Sequence, residues 1–226
     1  MKLLMLGSGP GAVEARDWDR APFDAVVAIN NAWRIRDDWD YLVYPYDFPP
    51  ENMPPEGNGA LIDQTHFVPA QNAFGGFVYG GATMAFTATY WALHALKPAL
   101  IAYLGCDMHY PKTGPTHFYG HGTADPLRDD LSLRNLEARS ERARIFAARQ
   151  KCALVNLSEG PSRLTFPRAT ADTLPTGPAP YDAILAERAV TEEARLDYRT
   201  PTGFHDQLSI DTAALDAIDA LWLANP

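Results

Sequence analysis

Short, wholly apolar runs alternate with polar or glycine-rich breaks along the first two thirds of the chain. Leu3 to Leu6 stops at GSGPG, Ala25 to Ile29 stops at Asn30 and Asn31, and YLVYPYD, starting at Tyr41, is interrupted by Pro45. Apolar runs of this length, closed by turn residues, predict strands buried on both faces, as a parallel sheet requires. ALIAYLGCDMHY, from Ala99, and CALVNL, from Cys152, predict two more. Between them ATMAFTATYWALHALKP has helical spacing until Pro98 stops it, and its start at Gly80 and Gly81 would let a ligand approach the first-turn N–H groups. THFVPA, from Thr65, reads as a short strand-like piece, QNAFGGFVYGG as a loop, and Phe48 to Gly59 as irregular chain. A charged helical segment, DPLRDDLSLRNLEARSERARIFAARQ, leads into the last predicted strand, and two modest helical stretches follow at 181–196 and 211–223.

Strands that each end in glycine or polar residues predict an α/β fold with an open, mostly parallel sheet, helices on both faces, and a ligand crevice at the carboxyl strand ends. The expected organisation is a nucleotide-binding domain over residues 1–170, then a Pro-rich segment and a helical C-terminal extension, 171–226, serving as a lid or an oligomer contact. At 46% hydrophobic and 21% charged, 226 residues suffice for one substantial core. A formal charge of -9 excludes a broad basic nucleic-acid surface. Cys106 and Cys152 lie in apolar runs and read as buried thiols in a reducing compartment. The apolar run of MKLLMLGSGPG is too short for a signal segment or a membrane span, so a cytoplasmic protein is expected, with peripheral membrane association and a homo-oligomer both allowed.

The candidate chemistry gathers at the predicted strand ends. Gly7, Ser8 and Gly9 form a glycine turn that lacks the third glycine of a dinucleotide fingerprint, and Asn30 and Asn31 stand where that fingerprint has an acidic residue. Asp107 closes a buried strand and is expected to face the crevice. His109, Tyr110, His117, Tyr119 and His121 then crowd into one loop, which suits proton transfer from a hydroxyl and hydrogen bonding to a departing phosphate. His117 and His121 have H-x3-H spacing, but Gly120 and Gly122 argue against the helix that would present both to a metal, so neither a metal nor a cofactor is expected.

The order GSGPG at 7–11, INN at 29–31, GGATMAFTA at 80–88, GCDMHY at 105–110, HFYGHGTADPL at 117–127 and ALVNLSEGPSRL at 153–164 resembles the bacterial sialyltransferases of the Campylobacter lipooligosaccharide type. The resemblance implies a Rossmann-like domain, a metal-independent variant of the GT-A architecture with a small lid. It further implies inverting transfer of a sugar from a CMP-type nucleotide sugar to a glycan hydroxyl. His121 falls on the family's catalytic base, and Asp107 on the aspartate of its active-site strand. Gly9, Asn30 and Gly81 fall on nucleotide-contacting positions, and Ser158 and Ser162 on the serine-bearing turn after the closing strand. Tyr110, Tyr119 and His109 would offset the charge of the leaving group, with Asp125 and Pro126 starting the next helix.

The chain also departs from that pattern. Phe77 stands where the family has an arginine, Pro45 where it has an asparagine, Gly80 where it has a serine and His109 where it has a tyrosine. Two other readings follow. One is a magnesium-dependent enzyme resembling the archaeal-type hydroxymethylpterin diphosphokinases, with Asp107 and Asp125 as acidic ligands; the other is a non-catalytic nucleotide- or glycan-binding protein.

Overall fold

A computed structural model describes residues 1–57, 59–122, 129–204 and 208–225. Six parallel strands form one open sheet: β1 (Lys2–Leu6), β2 (Ala25–Ile29), β3 (Tyr41–Val43), β4 (Ala60–Ile62), β5 (Leu100–Leu104) and β6 (Ala153–Asn156), in the spatial order β4-β3-β2-β1-β5-β6. The chain builds outward from β1 to β4, then returns to place β5 on the other side of β1 and continues to β6. The architecture is Rossmann-like, and its topological switch point lies between β1 and β5, where such folds open a crevice.

Strand alternation divides the core. Leu3, Met5, Val27, Ile101, Tyr103 and Leu154 face one layer, and Leu4, Leu6, Val26, Ala28, Ala102 and Val155 the other. On the first face pack α1 (Gln64–Ala73), α3 (Met84–Ala95) and α4 (Leu136–Arg149). The second face is covered by two 3-10 helices, Pro10–Asp17 and Asn30–Arg34, through Ala12, Ala15 and Ala32. Both faces are therefore sealed, as uninterrupted apolar strands require.

Two expected boundaries are corrected. THFVPA is not a strand but the first part of α1. The Asp63 side chain accepts from Thr65 N–H at 2.9 Å to cap that helix, which then tolerates Pro69 inside it. The edge strand just before it, β4, is only three residues long. The glycine pair also does not open the long helix: Phe77–Gly80 form a single turn, α2, Gly81 ends it at φ 88°, and Thr83 caps α3. A Cβ on Gly80 would lie 2.9 Å from the Tyr90 ring and one on Gly81 3.2 Å from the Arg139 stem, so both glycines serve helix packing.

The charged segment before β6 becomes a helix with Arg139, Ser140, Arg142 and Arg144 buried. It lies between the sheet and the C-terminal helices α5 (Ala183–Leu196) and α6 (Thr212–Leu223), whose Ala186, Ala189, Leu215, Ile218 and Trp222 share a core with Val78, Tyr79, Ala138 and Ile145. Ion pairs seal this layer, Arg142 with Glu193 at 2.7 Å and Arg139 with Asp219 at 2.8 Å. The C-terminal helices are thus part of the packed body, and among the described residues none beyond Pro161 lines the crevice. Among the described residues no helix is long and apolar enough to cross a membrane. Both cysteines are free and buried, and burial pushes the Cys152 thiol up to about 12 and that of Cys106 higher still.

Candidate functional site

A cleft of about 820 Å³ opens at the carboxyl ends of the strands. It is of the size small-molecule sites have. Among the expected site residues it is lined by Gly7, Ser8, Gly9, Asn30, Asn31, Asp107, His109, Tyr110, Tyr119 and Ser158, together with His117. Gly80, Gly81, Ser162 and His121 do not line it; Thr83, Met84 and Ala85 at the start of α3 stand where the glycine pair was expected.

The glycine turn is tied to the end of β5. Gly7 N–H donates to the Leu104 carbonyl at 2.9 Å and Gly9 N–H to the Gly105 carbonyl at 2.8 Å. A Cβ on Gly7 would sit 2.3 Å from the Gly105 oxygen. These glycines therefore permit a close crossing of two backbones, and their N–H groups are already occupied rather than presented to a phosphate. Because the obstacle is backbone, no rotamer change relieves it. Gly7→Ala is expected to destabilise the fold by about 1–3 kcal/mol, read from chemical denaturation; an unchanged midpoint would contradict the packing argument.

At the end of β2, Asn30 adopts φ 51°, a left-handed conformation that a non-glycine residue holds at a cost. The side-chain oxygens of Asn30 and Asn31 are both buried, with no partner among the described residues, and Asn31 is only 9% exposed. An unmet buried acceptor costs about 1–3 kcal/mol, so this pair is an unsatisfied polar feature of the cleft wall.

On the other side of the switch point, a network fixes Asp107. The Asn156 side-chain amide donates to Asp107 Oδ1 at 3.2 Å and to Ser162 Oγ at 3.0 Å, while its oxygen accepts from Ser158 N–H at 2.9 Å. Ser158 Oγ in turn accepts from Gly105 N–H at 3.2 Å. Ser162 thus acts through Asn156, and Ser158 both lines the cleft and braces the end of β5. Sequence reasoning missed Asn156, which is fully buried; its one signal was a polar residue closing an otherwise apolar strand. Met108, the residue after Asp107, is a second left-handed position in the cleft wall, at φ 51°.

The histidine loop is a closed unit. His117 and Gly120 exchange backbone hydrogen bonds at 3.0 Å, Gly122 N–H donates to Thr116 Oγ1 at 3.2 Å, and Phe118 N–H donates to the Ser8 carbonyl at 3.0 Å, which ties the loop to the glycine turn. The His117 ring is 9% exposed, stacks on Tyr119 at 5.0 Å, lies 5.9 Å from Tyr110, and has Nδ1 2.9 Å from Thr116 Oγ1. His109 is exposed along the cleft, and His121 is exposed beyond the Gly120 turn, next to the 123–128 segment. Asp125 and Pro126 lie outside the described residues.

Four carboxylates line the cleft, Glu14, Asp47, Asp107 and Glu159, and among the described lining residues there is no lysine or arginine. Phe77, at the family's arginine position, is buried against the C-terminal helices, whereas Pro45 lines the cleft. Among the described lining residues the imidazoles are the sole groups able to carry positive charge, with Arg168 bonded to the Ser158 and Gly160 carbonyls and Arg34 to Asn52 just outside the lining. Among the described residues no group of three or more His, Cys, Asp or Glu side chains is placed to hold a metal ion. Comparison of the chain with protein-family models, with curated proteins and with solved structures found no match.

Proposed function

We propose that the protein is a metal-independent inverting glycosyltransferase, similar to the sialyltransferases, that takes a sugar from a CMP-type nucleotide donor to a glycan hydroxyl. One observation carries this reading. A single cleft at the switch point combines two buried, unmet amide oxygens at Asn30 and Asn31 with an imidazole and phenol cluster at His109, Tyr110, His117 and Tyr119. The amide oxygens suit the N–H and O–H donors of a nucleoside, and the cluster suits a phosphate that gains charge as it leaves.

In this mechanism the acceptor oxygen attacks the anomeric carbon, its proton passes to His121, and the bond from that carbon to the phosphate oxygen breaks from the opposite face. Tyr110 and Tyr119 donate to the departing nucleotide. His117, clamped by Thr116 and the flanking phenols, holds the loop that presents them. Asp107, steadied by Asn156, accepts from hydroxyls of the bound sugar.

A thermal-shift panel of CMP, UDP, GDP, ATP and NAD, each with and without magnesium, tests the reading. Ligand at about 100 times Kd should add about 2.7 kcal/mol to the stability of the state that binds it. The expected result is stabilisation by CMP without metal; stabilisation by ATP only with magnesium would overturn it. That second outcome belongs to the diphosphokinase-like reading, in which magnesium would accompany the diphosphate.

A further inference from the structure

Three large aromatic side chains are exposed among the described residues, Tyr46 at 64%, Phe204 at 50% and Tyr119 at 44%, and two of them, Tyr119 and Tyr46, stand at the cleft. Tyr119 lines it, and Tyr46 sits between Pro45 and Asp47, which also line it. Phe204 meets Tyr46 edge to face, with ring centroids 5.3 Å apart and planes at 83°. Exposed aromatics scattered singly need no explanation, but a packed exposed pair beside a cleft forms a surface open to contact.

The Tyr46–Phe204 pair is built rather than incidental. The segment carrying Phe204 is anchored on α1, where the Asn72 side chain donates to the Thr200 carbonyl at 2.7 Å. Gly203 at φ 78° packs so closely on Val68 that a Cβ there would sit 3.0 Å from its methyl group. Two residues along the chain from Tyr46, Phe48 lines the cleft and packs against Tyr44 at 5.9 Å.

From this arrangement we infer that Tyr46 and Phe204 form a glycan-binding rim that receives the acceptor as a neutral or amine-bearing oligosaccharide. The inference rests on the transferase reading for the direction in which the acceptor points. The C–H faces of a pyranose carry partial positive charge and stack on the negative face of an aromatic ring. The hydroxyls at the edge of the sugar need acceptors, and the adjoining Asp47 and the nearby Glu14 are carboxylates. An acidic glycan would meet those same carboxylates with no lysine or arginine among the described lining residues to offset them, and would be repelled.

The test is saturation-transfer NMR on the full chain with maltotriose, cellotriose and N-acetylchitotriose as neutral probes and a sulfated disaccharide as the anionic one. At least one neutral probe is expected to bind through its ring C–H protons, and the sulfated probe is not. Tyr46→Ala and Phe204→Ala should each weaken that binding at least tenfold, while Tyr46→Phe, which keeps the stacking face, should leave it within twofold. Thermal midpoints and the nucleotide-induced shift should match wild type in all three variants. The inference is overturned if no neutral probe binds wild type, if both alanine variants keep wild-type affinity, if the sulfated probe binds as well as the neutral ones, or if the variants weaken nucleotide instead of saccharide. If saccharide binds as expected while no nucleotide does, the donor assignment fails and the rim stands.

Discussion

Glu193→Ala is expected to lower unfolding stability by about 3–5 kcal/mol, because it strands a buried positive charge. The Glu193 carboxylate accepts from Arg142 Nε at 2.8 Å, from Arg142 Nη2 at 2.7 Å and from Trp222 Nε1 at 2.9 Å. Arg142 also donates to Tyr90 OH at 2.7 Å and to the Phe74 carbonyl, and its guanidinium lies 4.4 Å over the Phe146 ring. One guanidinium thereby joins residues of α3, α4, α5 and the end of α1, while the indole of α6 meets it through Glu193. Burial alone would lower the Arg142 pKa, yet Glu193 and Tyr90 hold it above the ordinary arginine value. The pair is thus electrostatically satisfied in a place where neither member alone would be.

The neighbouring pair supplies the contrast. Arg139 is fully buried, its Nε and Nη2 have no partner among the described residues, and burial outweighs Asp219 so that its pKa falls. Asp219 is pushed the opposite way, up, again chiefly by burial. Both members of this pair are therefore held at a cost, and Arg139→Met should destabilise less than Glu193→Ala in the same urea titration. Equal losses would mean that satisfaction of the guanidinium is not what separates them. The double change Arg142→Met with Glu193→Leu should recover much of the single-variant loss, since apolar replacement of a whole buried pair is often neutral or better.

Where the sequence was legible, one physical signal dominated. β1, β2, β5 and β6 are buried on both faces, so they read as unbroken apolar runs, and their polar ends mark the cleft in advance. Asn30, Asn31 and Asp107 were legible for that reason. Other features depend on contacts that only the folded chain makes. α1 was misread because Pro69 suggests a break, while the Asp63 cap that starts the helix is a three-residue pattern easily passed over. The glycine pair at Gly80 and Gly81 resembled a helix-start motif, but its purpose is set by Tyr90, Phe86 and Arg139 packed against it from other turns and elements. The arginines of α4 read only as part of a charged helical segment because the carboxylates that accompany them come from α5 and α6, more than forty residues later. Asn156 was hard to read as a functional group because its importance is to hold Asp107, which lies in the loop after a different strand, β5.

Under the proposed transferase mechanism, His121→Ala is expected to reduce sugar transfer by about 10²–10⁴-fold, the usual contribution of a positioned general base, with donor binding within twofold of wild type. Two of the loop's imidazoles, His117 and His121, have different surroundings, and the variants separate their proposed roles. His117 is clamped: its Nδ1 meets Thr116 Oγ1, its ring is stacked on Tyr119, and Gly122 lies so close that a Cβ there would come within 2.8 Å of Nδ1. A ring held this way organises the phenols and keeps the loop closed against the Ser8 turn. His121 lies one residue past Gly120, is exposed and does not line the cleft, so its ring is free of the clamp that holds His117. His117→Ala should therefore loosen Tyr110 and Tyr119 and weaken donor binding as well as turnover, while His121→Ala should lower turnover alone. Rates with saturating donor and a separate measurement of donor affinity resolve the two effects. Retained transfer in His121→Ala, together with a folded His117→Asn that binds donor but does not turn over, would move the base to His117. Loss of donor binding in His121→Ala would instead make His121 a binding group and sink its role in proton transfer.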